Sequence, residues 1–209
     1  MTKFINRRTV IAGTGALATA GFLAGCSSDV SENNLALPDG IEEKTLGDPN
    51  APITVIEYAS MTCPHCASFH NRTYPQLKEK YIDSGKVLFK FREFPLDQVG
   101  ATVAVLARCA PNERFFDMID VYFKSQGTWR TGANPLPGIV EIAKQLGFTQ
   151  QSVNACLTNQ DVIAGVNAVR THGAEVLKVD ATPTFFINGK RVPGAITLEQ
   201  FEEEFKAYL

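Results

Sequence analysis

Two cysteines separated by two residues are the part of this sequence best suited to chemistry. Cys63 and Cys66 enclose Pro64 and His65 in a CPHC motif. Two thiols at this spacing can interconvert between a dithiol and a disulfide, and stabilising one thiolate makes the disulfide a stronger oxidant. A zinc site and a purely structural disulfide are the alternatives, since CxxC also begins zinc-binding motifs. Against zinc, no second CxxC or histidine pair follows at ligand spacing.

The elements around the motif predict that Cys63 lies at the start of a helix. The preceding run, Ile53–Ala59, is apolar and β-branched, which is typical of a central strand covered on both faces. Pro64 suits the first helical position, where its missing N–H costs nothing. Cys63 would then be the N-cap, where unpaired backbone N–H groups and the helix dipole stabilise a thiolate. We therefore predict a lowered pKa for Cys63, with His65 as a nearby potential cation.

The histidines supply the strongest argument for a metal site. Cys66 and His70 are four residues apart, so they would lie on one face of the predicted helix. The same helix carries Phe69 and Tyr74, however, as a core element does. We therefore predict no bound metal and no other cofactor, and we expect His70 and His172 at the protein surface.

The strand and the CPHC motif together resemble the DsbA-type thiol-disulfide oxidoreductases of the thioredoxin-fold family. The resemblance rests on residues 55–66 and on a second segment, residues 181–189, and it covers nearly all of residues 42–209. It implies an α/β thioredoxin fold with an inserted all-helical domain. It also implies that Pro183 follows a cis peptide bond and faces the CPHC motif. The preceding residue, Thr182, would tune redox behaviour and offer backbone groups to the substrate.

A carboxyl group interrupts the predicted central strand at Glu57. A buried carboxylate is costly unless it is paired or used. The resemblance implies that Glu57 lies near the buried sulfur of Cys66 and assists proton transfer there. Lys90 and Arg92, on a neighbouring predicted strand, are the candidate partners of Glu57. The alternative is a carboxylate at an edge, with its head in solvent.

The middle of the chain is mostly helical by pattern. Apolar residues recur at helical spacing from Leu96 to about Leu177, which is too much helix for a bare thioredoxin domain. The resemblance assigns this stretch to the helical domain that DsbA-type proteins insert into their fold. We therefore predict a thioredoxin-fold N-terminal part at 42–95, a helical insertion at 96–177 and a thioredoxin-fold C-terminal part at 178–209.

The first residues have the composition of an export signal. Arg7 and Arg8 precede a long uncharged run, and an arginine pair fits the twin-arginine route as well as ordinary export. The run ends in Leu-Ala-Gly before Cys26, which resembles the lipobox of bacterial lipoproteins, where the cysteine is acylated. A plain signal peptide and an uncleaved anchor are the alternatives. We predict a signal peptide at 1–25, a lipidated flexible tether at 26–41 and a periplasmic location at a membrane.

Export also gives meaning to the five cysteines, because disulfides persist outside the cytoplasm. If Cys26 is acylated, four cysteines remain. Cys63 and Cys66 form the predicted redox-active disulfide. Cys109 and Cys156 lie in the predicted helical part, and we predict a structural disulfide between them. A second redox couple is the alternative for this pair.

The composition excludes one class of partner and leaves three functions open. With 20 basic and 22 acidic side chains and no dense basic stretch, the chain lacks the positive face that nucleic-acid binders need. The resemblance implies a monomeric oxidase that introduces disulfides into reduced or unfolded exported proteins. A DsbB-like, quinone-linked membrane protein would reoxidise it. The alternatives are a disulfide reductase or isomerase of the same fold, and a tethered metal-binding or redox-inert interaction module.

Overall fold

The computed structural model describes Met1 and residues 30–209, so the predicted signal peptide and Cys26 lie outside the described residues. The described strands are β1 (Lys44–Leu46), β2 (Ile53–Ala59), β3 (Val87–Glu93), β4 (Thr184–Ile187) and β5 (Lys190–Pro193). They form one sheet in the order β1-β3-β2-β4-β5. β2 and β3 run parallel, and the other neighbouring pairs are antiparallel.

Helices pack around this sheet, and six of those described lie between β3 and β4. The helices are α1 (Glu32–Leu35), α2 (Pro64–Arg72), α3 (Tyr74–Leu77), a π-helical turn (Lys78–Ile82), α4 (Gln98–Arg108), α5 (Asn112–Lys124), α6 (Gln126–Trp129), α7 (Leu136–Gln145), α8 (Gln150–Leu157), α9 (Gln160–Glu175) and α10 (Leu198–Phe205). This confirms the predicted α/β fold with an inserted helical region. None of the described helices is long and apolar enough to cross a membrane.

The central strand β2 explains the apolar run in the sequence. Successive side chains of a strand point to opposite faces of the sheet. Val55 and Ala59 therefore join the core on one face, and Ile56 and Tyr58 join a second core on the other. Because both faces are covered, almost every position of β2 is buried, and Glu57 is buried with them.

A disulfide ties the helical region together. Cys109 at the end of α4 is bonded to Cys156 in α8, and the pair is separated by 47 residues. In the chain-entropy model, closing a loop of this length stabilises the fold by about 4 kcal/mol, because the cross-link restricts the unfolded chain. The bond joins two helices that also pack directly on each other.

The sequence predicts a flexible tether over residues 26–41, and in the described part, residues 30–41, this segment contacts the folded domain. The N–H of Val30 donates to the carbonyl of Gly189 over 2.9 Å. Arg92 donates to the carbonyl of Leu35 over 2.7 Å. Four apolar side chains of this segment pack on the second core: Val30, Leu35, Leu37 and Ile41. These few apolar residues cover a sheet face that would otherwise meet water.

Two local motifs near the C-terminus have the geometry that their residue types favour. Asn188 and Gly189 both have positive φ values, 44° and 92°, as a two-residue turn between β4 and β5 requires. Thr197 and Gln200 form a capping box at the start of α10. The turn sets the register of β5 against β4.

Candidate active site

Cys63 and Cys66 lie at the junction between β2 and α2. Cys63 is the N-cap of α2, with extended backbone angles, and Pro64 occupies the first helical position, as predicted. Both cysteines are free thiols in this structure. Cys63 is 4% exposed and Cys66 is fully buried, so an attacking group can reach the pair only through a small opening at Cys63.

The pKa of Cys63 is lowered to about 5 from an ordinary value of 9.0. The largest cause is a hydrogen bond from the Cys66 thiol, and burial opposes it. The Thr182 side chain and the backbone N–H groups of Cys66 and His65 lower the pKa further. The sequence predicts the direction from the helix N-terminus, but it does not reveal that the partner thiol contributes most.

The two sulfurs of the motif differ sharply in acidity. The pKa of Cys66 is raised well above its ordinary value, first by burial, then by its hydrogen bond to Cys63 and by the nearby negative charge of Glu57. Near neutral pH the stable form of the reduced pair is therefore a Cys63 thiolate that accepts a hydrogen bond from the Cys66 thiol.

The segment before β4 meets the motif from the other side. The peptide bond between Thr182 and Pro183 is cis, as the resemblance implies. In the thiol form, Cys63 donates to the carbonyl oxygen of Thr182 over 3.2 Å. The resemblance predicted this juxtaposition of residues 119 positions apart.

Glu57 and His70 form a buried pair beneath the motif. Glu57 is fully buried, and its Oε2 lies 2.8 Å from Nε2 of His70. His70 is 1% exposed and stacks on Phe123 with a centroid distance of 4.2 Å. The expectation that His70 lies at the surface is wrong, because the face of α2 that buries Cys66 also buries the residue four positions later.

The predicted partners of Glu57 are also wrong, and so is the alternative of a solvated carboxylate. Glu57 lies opposite Phe91 in the register of β2 and β3, so Lys90 and Arg92 point to the other face of the sheet. There they reach Glu43, with N–O distances of 3.6 Å and 2.6 Å. Whether Lys90 or Arg92 could reach Glu57 depended on the register of β2 against β3, which the sequence alone did not fix.

The second histidine in question, His172, is half-buried on this other face of the sheet. Its Nδ1 lies 3.2 Å from the hydroxyl of Tyr58, which also accepts a hydrogen bond from Arg92. Burial and the charge of Arg92 lower the pKa of His172. The expected surface position is therefore only partly correct.

Sequence reasoning missed a glutamine that supports the motif. Gln126, in the helical region, is buried, and its Nε2 donates to the carbonyls of Met61 and Cys63 over 2.9 Å and 3.0 Å. It thereby satisfies two carbonyls of the loop that carries the reactive sulfur. Nothing local in the sequence marks this residue, because the contact joins positions 63 and 65 residues apart.

The described residues contain no group of three or more His, Cys, Asp or Glu side chains that could hold a metal ion. The Nε2 of His70, which the sequence offers as a metal ligand beside Cys66, is instead engaged by Glu57. The arrangement of the described site suits exchange between thiols and disulfides, because one sulfur is ionised and the other is held as its resolving partner.

Comparisons with known proteins agree with this geometry. A family model described as Thioredoxin matches residues 40–207. The crystal structure of Wolbachia pipientis alpha-DsbA1 is 34% identical, with a TM-score of 0.78, over 85% of this chain and 96% of that chain. The structure of oxidised BdbD from Bacillus subtilis is 19% identical, with a TM-score of 0.72, over 87% of this chain and 96% of that one, and shows the fold alone.

Curated relatives are similar over part of their length. A relative from Rickettsia bellii, whose name assigns it to the protein-disulfide oxidoreductases, is 32% identical over 148 residues. The match covers 70% of this chain and 57% of that protein. The chain therefore spans little more than half the length of the Rickettsia relatives it matches.

Proposed function

This chain belongs to the DsbA-type thiol-disulfide oxidoreductases of the thioredoxin-fold family, and from this premise we propose that it introduces disulfide bonds into exported proteins. One observation carries the proposal: the pKa of Cys63 is lowered to about 5 while that of Cys66 is raised. A sulfur that leaves as a stable thiolate favours release of an oxidised client, since thiols of low pKa are the better leaving groups.

The proposed reaction has two displacement steps. In the oxidised enzyme, a client thiolate attacks the sulfur of Cys63 and forms a mixed disulfide, while Cys66 leaves and takes up a proton. A second client thiolate then attacks the client sulfur of the mixed disulfide and expels Cys63 as a thiolate. The client gains one disulfide, and its two electrons remain in the Cys63 and Cys66 dithiol.

The surrounding residues take roles that their positions support. Pro64 starts α2 and makes Cys63 its N-cap, and the N–H of His65 stabilises the Cys63 thiolate. Thr182, which precedes Pro183, lies against the Cys63 sulfur. We propose that the backbone of this segment binds the client chain, whose extended backbone would pair with it as an added strand does. Glu57 assists proton transfer at Cys66.

The reduced enzyme must pass two electrons on before it can act again. We assign this step to a membrane protein of the DsbB type that is linked to quinone, and we propose reduced or unfolded exported proteins as the substrates. DsbA-type proteins are periplasmic, and we place this chain in the periplasm as a monomer. The chemistry of the described site requires no cofactor beyond the two thiols.

A lipid on Cys26 would hold the enzyme near its reoxidant. We expect the full chain expressed in bacteria to incorporate a labelled fatty acid and to sediment with membranes. Cys26→Ser is expected to abolish the label and release the protein to the soluble fraction, because the acylated thiol is gone. Equal labelling of the two proteins would contradict lipidation at this residue. A Cys109→Ser variant, which also removes one cysteine, serves as the matched control.

The reduction potential of the CPHC couple tests the oxidase assignment. We expect equilibration with glutathione buffers and trapping of free thiols to give a potential near that of other DsbA couples, about −120 mV. A value near that of thioredoxin, about −270 mV, would indicate a reductase, and one near about −180 mV an isomerase. A protein with no titrating couple would contradict the three redox functions, oxidase, reductase and isomerase, and favour a redox-inert module. Cys66→Ala lacks the couple and gives the baseline.

A further inference from the structure

We propose that His70 is a positioning residue for proton transfer at Cys66: through Glu57, it holds the proton that Cys66 takes up when the disulfide opens and gives back when it closes. The inference deepens the proposed function, because it concerns the resolving sulfur of the same couple. It applies equally to an oxidase, a reductase or an isomerase, since each must protonate and deprotonate Cys66.

The geometry forms a short buried chain of three groups. Cys66 and His70 lie four residues apart on the buried face of α2, and Glu57 approaches from β2. His70 Nε2 and Glu57 Oε2 are 2.8 Å apart, and the two side chains are 1% and 0% exposed. The charge of Glu57 also reaches Cys66, because it raises the pKa of that thiol.

One oxygen of the carboxylate is left over for Cys66. Among the described residues, Glu57 Oε1 and His70 Nδ1 are both buried and have no hydrogen-bond partner. A buried acceptor without a partner costs free energy, so it is kept only where it is used or where strain is tolerated. We assign this free oxygen to the proton that Cys66 exchanges, while Oε2 stays with the histidine.

Charge conservation explains why a histidine suits this place. A Glu57 and His70 pair that shares one proton between Oε2 and Nε2 carries no net charge. When the disulfide opens, Cys66 leaves as a thiolate, and moving the shared proton to its sulfur places the negative charge on the carboxylate. The proton transfer leaves the total charge of the cluster at the single negative charge that the attacking thiolate brought in, and it moves that charge from the sulfur to the carboxylate, which the histidine can hydrogen-bond.

The surroundings offer few other proton donors. The rings packed on His70 are Tyr74 and three phenylalanines, Phe69, Phe91 and Phe123. Burial raises the pKa of Tyr74 far above neutrality, so its hydroxyl stays protonated throughout. The remaining titratable groups on the cluster are Glu57, Cys66 and, across the motif, Cys63.

A single-turnover reaction isolates the step in question. Reduced protein is mixed with excess oxidised glutathione, so that Cys63 forms a mixed disulfide that Cys66 must resolve. His70→Gln keeps a donor near the position of Nε2 but cannot carry the proton. We expect resolution to slow by roughly 100-fold, the lower end of the range for loss of acid–base assistance, while attack by Cys63 keeps its rate. Acid quenching and mass spectrometry follow both steps.

The pH profile separates proton transfer from a structural effect. In His70→Gln the resolution rate is expected to depend more steeply on pH, up to tenfold per pH unit, because Glu57 has no histidine to share the Cys66 proton with and hydroxide must take over that step. The unsubstituted protein is expected to show a flatter profile. The matched control is His172→Gln, which removes the histidine bonded to Tyr58 on the opposite face of the sheet and should leave resolution unchanged.

Two further measurements decide the matter if His70→Gln does not fold. Glu57→Gln should slow resolution in the same way, and the imidazole resonances of His70 in the unsubstituted protein should shift between the oxidised and reduced states. Unchanged resolution and pH profile in a folded His70→Gln protein would overturn the inference, as would identical His70 resonances in the two states. A reduction potential near that of thioredoxin would overturn the oxidase assignment alone and leave this inference standing.

Discussion

Cys63→Ser is expected to lower the rate of disulfide formation in a reduced client protein to the uncatalysed rate, a loss of the order of 10³-fold or more. Only the thiolate is a competent nucleophile and leaving group in disulfide exchange. Cys66 cannot replace it, because it is fully buried and its pKa is raised. The measurement is the oxidative refolding of a reduced, disulfide-containing client with oxidised enzyme or its variants.

Cys66→Ala is expected to fail in a different way. The variant keeps the reactive Cys63 but cannot resolve a mixed disulfide, so when it is mixed with oxidised glutathione or an oxidised client, Cys63 should attack that disulfide, expel one thiolate and accumulate as a covalent adduct. Non-reducing gel electrophoresis after acid quenching detects the adduct. An adduct formed by Cys63→Ser through Cys66 would contradict the assignment of the two roles.

The second disulfide supplies the control for both variants. Replacing Cys109 and Cys156 together with serine removes the other two cysteines that the described structure contains, and leaves the CPHC pair intact. We expect this double variant to be less stable but to catalyse client oxidation at the unsubstituted rate under conditions where it is folded. A large loss of activity there would instead favour the second redox couple that the sequence left open.

The motif and the main elements could be predicted because their signals are local. The position of Pro64 fixes the helix start, and the apolar run of β2 fixes a covered strand. The Asn188 and Gly189 pair fixes a turn, since both residues tolerate positive φ. Each of these follows from a few neighbouring residues and their backbone preferences.

The supporting contacts could not be predicted, because they depend on how distant elements meet. The partner of Glu57 followed from the β2 and β3 register and from the rotation of α2, and a shift of one position in either would change it. In the sequence, Gln126 cannot be told from an ordinary polar helix residue. Its contacts arise only because α6 lies beside the loop before α2. The packing of the segment at Val30 could not be predicted without knowing which sheet face it covers.

The reduced protein is expected to titrate near pH 5 in the ultraviolet absorbance of its thiolate, with roughly a hundredfold excess of thiolate over thiol at pH 7. Because the folded pKa of Cys63 lies below its ordinary value of 9.0, the thiolate stabilises the reduced fold fully above pH 9. This contribution declines as pH falls from about 9 and is lost on passing through about 5. Denaturant unfolding of reduced and oxidised protein across this range measures the difference, and Cys63→Ser should abolish it.

The same titration tells which interaction lowers the pKa of Cys63. The hydrogen bond from the Cys66 thiol is the largest cause, ahead of the Thr182 side chain and the N–H groups at the start of α2. Cys66→Ala removes that donor and leaves the helix N-terminus intact, so the midpoint should move from about 5 toward the ordinary 9.0. A midpoint that stays near 5 in this variant would mean that the Thr182 side chain and the N–H groups at the start of α2 stabilise the thiolate without the partner thiol. The ease with which Cys63 leaves as a thiolate would then come from those groups, and the partner thiol would act only in resolution.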